Sequence, residues 1–326
     1  MRILFSNYHI SVNKGLVDDL VSIGLDVVMP TQGDWPIRFF APNHEHRDKA
    51  AITSYDDFLG MPPMVILIPC TQMVEDLLAI WRERGERDVL VLLTANSDHQ
   101  QAWRMVPTDY LISHDLTYHR EWQGPWKMLY FSRPLILRAP KTGEQLAQTF
   151  EEKKVKVYIN NLESERHSVD GGLKPEYDAA MLMRELWQER TGFRVPIYGY
   201  GNADGWPSME ETQNHLVDSM FTFVSKRRET WGQVINESMQ LGTPGMFLRP
   251  LLNSTFTEYL IREDTAILGD TVEELVDKAL SLTFEQYQSL VNEAYSQSQM
   301  FCAEGPRRAK LSWLFDKVAK DPRLAG

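Results

Sequence analysis

The chain has 326 residues, which suits about two domains of ordinary size, and 43% of them are apolar, ample for buried cores. Its formal net charge of −11 argues against a general polyanion binder and against a membrane-surface protein held by basic residues, while leaving room for a basic cleft on an acidic body. Cys70 and Cys302 lie far apart and form no metal-ligand pattern, so a reducing cytoplasm is expected. No apolar run reaches the roughly 18 residues of a membrane span, and Met1-Arg-Ile-Leu-Phe-Ser6 reads as a strand rather than a signal peptide.

The first half alternates strands with helices. Ile3-Leu-Phe-Ser6 opens a strand, and residues 15–24 carry a helical apolar pattern through Leu16, Leu20, Val21 and Ile23. Val27-Val-Met29, Val65-Ile-Leu-Ile68, Val89-Leu-Val-Leu-Leu93 and Tyr110-Leu-Ile112 read as further strands, with Met128-Leu-Tyr-Phe131 as a sixth. Short continuous apolar strands separated by helices predict a parallel sheet covered on both faces. Right-handed crossovers then place functional loops at the carboxyl ends of the strands. Residues 35–49, with their proline and charges, read as a loop.

The character shifts where Arg133-Pro134 and Ala139-Pro-Lys-Thr-Gly143 bring proline and glycine together, so a domain joint is expected within 135–155. A helical stretch over 144–152 precedes a second series opening with Val155-Lys-Val-Tyr-Ile159. A helix over 175–190, a strand Val195-Pro-Ile-Tyr198, and a helix opened by the capping box Ser208-x-x-Glu211 follow. Phe221-Thr-Phe-Val224, Met246-Phe-Leu248 and Ala266-Ile-Leu268 are later strands. Asp270-x-x-Glu273 is read as the cap of a helix running to Leu282, and residues 309–319 form an amphipathic terminal segment. Two tandem open α/β sheets predict a ligand site between domains.

The strand Phe221-Thr-Phe-Val224 leads into Glu229-Thr-Trp-Gly-Gln-Val-Ile-Asn-Glu237, and the helix this opens runs to Leu241-Gly-Thr-Pro244. One carboxylate is thereby placed on the loop at a strand's carboxyl end and the other inside the following helix. The first N–H groups of that helix, between them, form an anion site. Carboxylates for hydroxyls beside amides for phosphates suit a nucleotide-sugar.

Glu229-x7-Glu237 with Trp231-Gly232 resembles the Glu-x-(Phe/Trp)-Gly-x4-Glu signature of retaining GT-B glycosyltransferases, and Leu241-Gly-Thr-Pro244 resembles the Leu-Gly-x-Pro that follows it in that family. The resemblance implies an α/β chain of two Rossmann-like, doubly wound domains facing across a cleft. An acceptor domain would span 1–145, a donor domain 146–305, and a terminal helix, 306–326, would cross back to the first domain. By resemblance Glu229 holds the donor sugar's hydroxyls and favours positive charge at the anomeric carbon; on its own it also reads as an N-cap carboxylate. Glu237 by resemblance accepts hydrogen bonds from the donor ribose, and otherwise reads as a solvated helix glutamate. Thr230, Trp231, Gly232, Gln233 and Val234 would offer backbone N–H groups to sugar and diphosphate, with Gly232 allowing close approach.

The family places an Arg and a Lys after the first strand of the donor domain to neutralise the leaving diphosphate. Arg166 and Lys174 are the candidates here, at a longer spacing and without the usual Gly-Arg pair. Lys226-Arg-Arg228 reads equally as a cationic wall or a solvated face. In the first domain, Asn13 and Gly15 on the loop after the first strand are candidate donor contacts, though the family often has two glycines there. His99 stands where the family often has an active-site histidine, and otherwise reads as a solvated loop residue.

The sequence contains no Asp-x-Asp, no Gly-x-Gly-x-x-Gly dinucleotide fingerprint and no Gly-x4-Gly-Lys phosphate loop. A metal-independent transferase with no cofactor is expected, its donor substrate a nucleotide-diphosphate sugar, with a UDP-sugar such as UDP-glucose foremost. The acceptor stays open between a saccharide, a lipid-linked sugar, a small metabolite and a hydroxymethylated DNA base. A GT-B-like protein that binds a nucleotide-sugar without transferring it is the alternative.

Overall fold

A computed structural model describes residues 1–5, 10–31, 35–36, 49–69, 73–94, 107–113, 120, 122–130, 138–159, 174–199, 202, 204–225, 233–252 and 260–325, with the backbone alone for 10–14, 174–175, 233 and 251. The chain forms two compact units, Met1–Pro134 together with Phe301–Gly326, and Leu135–Met300.

The first unit runs β1 (Arg2–Phe5), α1 (Ile10–Ser22), β2 (Asp26–Pro30), β3 (Ala51–Thr53), α2 (Tyr55–Gly60), β4 (Val65–Ile68), α3 (Val74–Glu83), β5 (Val89–Thr94), β6 (Tyr110–Ser113) and β7 (Trp126–Leu129). These strands form one parallel sheet in the order β3-β2-β1-β4-β5-β6-β7. Alternation along each strand divides the side chains between two cores. Ile3, Phe5, Val65, Leu67, Val89 and Val91 share a core with α1, while Leu4, Ile66, Ile68, Leu90 and Leu92 share one with α2 and α3.

The second unit contains α4 (Gly143–Glu152), β8 (Val155–Tyr158), α5 (Lys174–Thr191), β9 (Ile197–Tyr198), α6 (Met209–Val217), β10 (Phe221–Val224), α7 (Gln233–Gln240), β11 (Gly245–Leu248), β12 (Ala266–Gly269), α8 (Val272–Ser281) and most of α9 (Phe284–Cys302). Its sheet is also parallel, in the order β12-β11-β10-β8-β9. On one face Val155, Val157, Phe221, Phe223 and Met246 pack with Met183 and Trp187 of α5 and with Leu275 and Val276 of α8. The other face carries Tyr158, which packs with Leu216 and Val217 of α6 and with Leu241 beyond α7. The last helix, α10 (Glu304–Val318), belongs to the first unit and buries Leu311, Leu314, Phe315 and Val318 in the α1 core.

Several boundaries depart from the sequence reading. Helix α1 begins five residues earlier than the pattern from Gly15 indicates, so Asn13 and Gly15 lie inside the helix rather than on a loop. The strand β3 and the helix α2 were not anticipated, and neither was α9. Ser208 and Glu211 form the expected capping box, each bonding the other's backbone N–H. The cap of α8 lies one residue on from the expected Asp270: the Thr271 hydroxyl accepts from the Glu274 N–H, and the Glu274 carboxylate accepts from the Asp270 N–H. Helix α7 ends because Gly242 takes φ +81°, letting its N–H reach the Met239 carbonyl at 3.2 Å and the Thr243 N–H reach that of Ser238 at 2.7 Å.

Candidate functional site

In each sheet the strand order reverses direction at one place, and there the two flanking connections leave on opposite faces and open a crevice at the carboxyl ends. In the second unit that place lies between β8 and β10, which pair with Phe221 opposite Val155, Thr222 opposite Lys156 and Phe223 opposite Val157. The chain leaving β8 enters α5 at Lys174, and the chain leaving β10 enters α7 at Gln233. Two segments far apart in sequence, 160–173 and 226–232, therefore start from adjacent strand ends. Those segments hold Arg166 and Glu229, Thr230, Trp231 and Gly232, all of which lie outside the described residues, as does His99. Gln233 opens α7 and Lys174 opens α5, with the backbone described for each.

Glu237 and Val234 are described fully. Glu237 sits in the second turn of α7 and is only 3% exposed. Its charge acts on Tyr158, the last residue of β8, whose phenol is held well above its usual range by burial first, then by neighbouring Tyr198 and Glu237. The Tyr158 hydroxyl donates to the Thr212 carbonyl at 3.5 Å, and a phenol kept protonated stays such a donor across the working pH range. Val234 packs against the Leu216, Val217 and Leu241 cluster with Tyr158, which seats the first turn of α7 on the sheet.

The sequence reading missed three features at this edge of the sheet. Tyr158 is one, because its place beside Glu237 depends on strand pairing. Glu176, fully buried in the first turn of α5, is another. The third is Ser225, directly after β10, whose buried hydroxyl has no hydrogen-bond partner among the described residues.

In the first unit the corresponding reversal lies between β1 and β4. Helix α1 follows β1, so its N-terminal turn, with Asn13, starts at that sheet's carboxyl edge, and the buried Gly15 sits one turn further in. Among the described residues no three His, Cys, Asp or Glu side chains converge as a metal-binding group, and no helix is long and apolar enough to cross a membrane.

Comparison of the sequence with models of protein families and with curated proteins finds no match. Comparison of the structure with solved structures finds many. Sucrose-phosphate synthase from Thermosynechococcus elongatus superposes with a TM-score of 0.62 at 12% identity, covering 97% of this chain and 98% of that one. The catalytic domain of starch synthase IV from Arabidopsis thaliana, bound to ADP and acarbose, gives 0.61 at 10% identity over 100% and 99%. This is the GT-B fold. A UDP-N-acetylglucosamine 2-epimerase from Listeria monocytogenes, so described provisionally, gives 0.56 at 13% identity over 97% and 96%. The GT-B fold thus supports more than one chemistry, and the activity must be argued from the residues.

Proposed function

We propose that this protein is a retaining glycosyltransferase that moves a sugar from a nucleotide-diphosphate sugar to a hydroxyl acceptor. One observation carries the reading: β8 and β10 are neighbours, so the Glu229-x7-Glu237 motif and the Arg166–Lys174 stretch leave from adjacent strand ends at the sheet's reversal point. The GT-B fold and the sugar-transferring names among its structural neighbours support it.

In this reading the N-terminus of α7 receives the diphosphate, and Glu237 accepts the ribose hydroxyls. Glu229 holds the sugar and stabilises the positive charge that develops at its anomeric carbon. Arg166 and Lys174 offset the charge of the departing diphosphate, so the reaction proceeds without a divalent ion. The acceptor oxygen bonds to the anomeric carbon on the face from which the phosphate oxygen leaves, and that phosphate takes the acceptor's proton. A UDP-sugar is the first donor to try, and saccharides, small hydroxylated metabolites and hydroxymethylated DNA are the acceptors to screen.

The test is release of nucleoside diphosphate from UDP-, GDP- and ADP-sugars, with water alone and with mixed acceptors, together with the anomeric configuration of any product. Acceptor-dependent release with retained configuration, abolished in Glu229→Ala, is the expected result. Binding without release under every acceptor supports a non-catalytic nucleotide-sugar binder, and interconversion of the sugar without release supports an epimerase; either overturns the proposal.

A further inference from the structure

We propose that Lys141 and Lys156 form a proton-sensitive fastener beneath α6 and α7, one that grips as pH rises and slackens as pH falls. The two lysines are only 9% and 7% exposed, and neither forms an ion pair among the described residues. An ammonium buried without a paired carboxylate is costly, and that cost disappears when it gives up its proton.

Both amines reach backbone carbonyls at the C-terminal end of α6. Lys156 Nζ donates to the His215 carbonyl at 2.9 Å, while Lys141 Nζ donates to the Ser219 carbonyl and, at 3.5 Å, to the Tyr287 hydroxyl. The Ser219 carbonyl also accepts from the Thr243 hydroxyl at 3.4 Å, and the Ser219 hydroxyl donates to the His215 carbonyl at 2.6 Å, so the two lysines share one network. The backbone of Lys141 takes part as well, its N–H donating at 3.1 Å to the carbonyl of Leu241 in the turn that ends α7. Arg138, three residues earlier, donates to the Asn214 side chain of α6 at 2.5 Å. Residues 138–142, which lead into α4, are thereby fastened to the ends of both α6 and α7. Glu237 lies on α7, so a change here reaches the candidate site whatever that site binds.

Burial is the first cause acting on both amines and favours the neutral form, holding Lys141 well below its ordinary range and Lys156 at about 8. Asp218, beyond α6, opposes the shift on each, and Lys156 lowers Lys141 further by repulsion. Lys154 and Glu152 act on Lys156 in opposite directions and pair with one another at 2.6 Å. His215 is itself held below its usual range by burial and then by Lys156, with Glu211 and Asp218 opposing. Tyr287, on α9, is raised by burial and stays a phenol. Once the fastener opens, each lysine returns to its ordinary value near 10.5. Between the folded values and 10.5 the open form therefore holds more protons, so the closed form gains as pH rises through that window. Acidification recharges the buried amines and the advantage is lost.

The experiment follows hydrogen exchange of the Lys141, Leu241 and Thr243 N–H groups, corrected for the intrinsic rate at each pH. These donate to the carbonyls of Leu241, Glu237 and Ser238, so their protection reports whether the fastener is closed. Between about pH 7 and pH 9.5 the wild type should gain at least about tenfold in protection there, relative to the N–H groups of β4 in the first unit. In the double variant Lys141→Met with Lys156→Met the gain should shrink to about twofold or less. The Ser219 and His215 carbonyls keep the Thr243 and Ser219 hydroxyls as donors in that variant, which favours its folding. No gain in the wild type, or an equal gain in the double variant, overturns the proposal. A double variant that does not fold leaves the decision to an NMR titration of the two lysine side chains in the wild type. Both titrating below their ordinary range supports the fastener, and either titrating at or above about 10.5 overturns it.

Discussion

The carboxylate of Asp19 in α1 and the guanidinium of Arg307 in α10 form a two-pronged ion pair, Nε to Oδ2 at 2.8 Å and Nη2 to Oδ1 at 2.9 Å, with both side chains 1% exposed. The Tyr130 hydroxyl donates to the same Asp19 carboxylate at 2.9 Å, and its phenol is held well above its usual range, first by burial. Residues 288 positions apart thus join the chain's last long helix to its first. Two ions out of water persist only because each lone pair and proton finds a partner.

Removing one partner should therefore cost far more than removing the neutral one. Arg307→Met leaves the buried Asp19 carboxylate only the Tyr130 hydroxyl and a 3.4 Å contact with the Nε of Arg308, and should destabilise the first unit by about 3–5 kcal/mol. Tyr130→Phe loses a single hydrogen bond and should cost about 1–3 kcal/mol. Chemical denaturation followed by tryptophan fluorescence measures both, and a Tyr130→Phe loss equal to that of Arg307→Met would contradict the account.

Two glycines flank the turn that ends α7, and they should respond differently to alanine. A Cβ on Gly245 would lie 2.2 Å from the buried Phe247 ring, so Gly245→Ala forces that ring to move and should cost about 1–3 kcal/mol. At Gly242 the nearest atoms lie at an ordinary 3.5 Å, so only the left-handed backbone opposes alanine, at about 1–2 kcal/mol. Near-ultraviolet circular dichroism of the aromatic core should change in Gly245→Ala and stay unaltered in Gly242→Ala.

Lys156, on β8, gives the second unit a defined pH dependence. Burial lowers its ammonium to about 8, and the nearby Asp218 carboxylate opposes that shift. Below pH 8 the lysine is charged in both the folded and unfolded states, so the folded state bears the full desolvation penalty. Between pH 8 and the unfolded value near 10.5 the folded lysine loses its proton and the penalty fades, so this group's contribution to stability rises with pH. Relative to Lys156→Met, the wild type should gain about 1–2 kcal/mol between pH 7 and pH 9.5, as read by denaturation at each pH. A constant difference would contradict the burial assigned to this side chain. Lys141, also buried, shifts in the same direction for the same first cause.

The two parallel sheets were legible because their central strands are short and mostly apolar, without a break in Val65-Ile-Leu-Ile68 and with a single polar residue in Phe221-Thr-Phe-Val224, as a doubly covered sheet requires. The strand β3 escaped notice because it sits at the sheet edge, with Ala51 and Ile52 exposed, and lacks such a run. Helix α9 buries Tyr287, Leu290, Val291 and Ala294 on one side, but glutamine and serine between them blur its period. The Glu229-x7-Glu237 spacing was readable as a motif because strand, turn and helix follow one another locally. Tyr158 beside Glu237 and Arg307 beside Asp19 were not, because no local pattern encodes which distant segments pair.

The measurement that most directly tests the central claim is a crystal soaked with a nucleotide-diphosphate sugar. The account predicts diphosphate density at the first turn of α7 and ribose density within hydrogen-bond reach of Glu237, beside the carboxyl ends of β8 and β10. Density for the ligand in the second unit but away from residues 229–237 would contradict it.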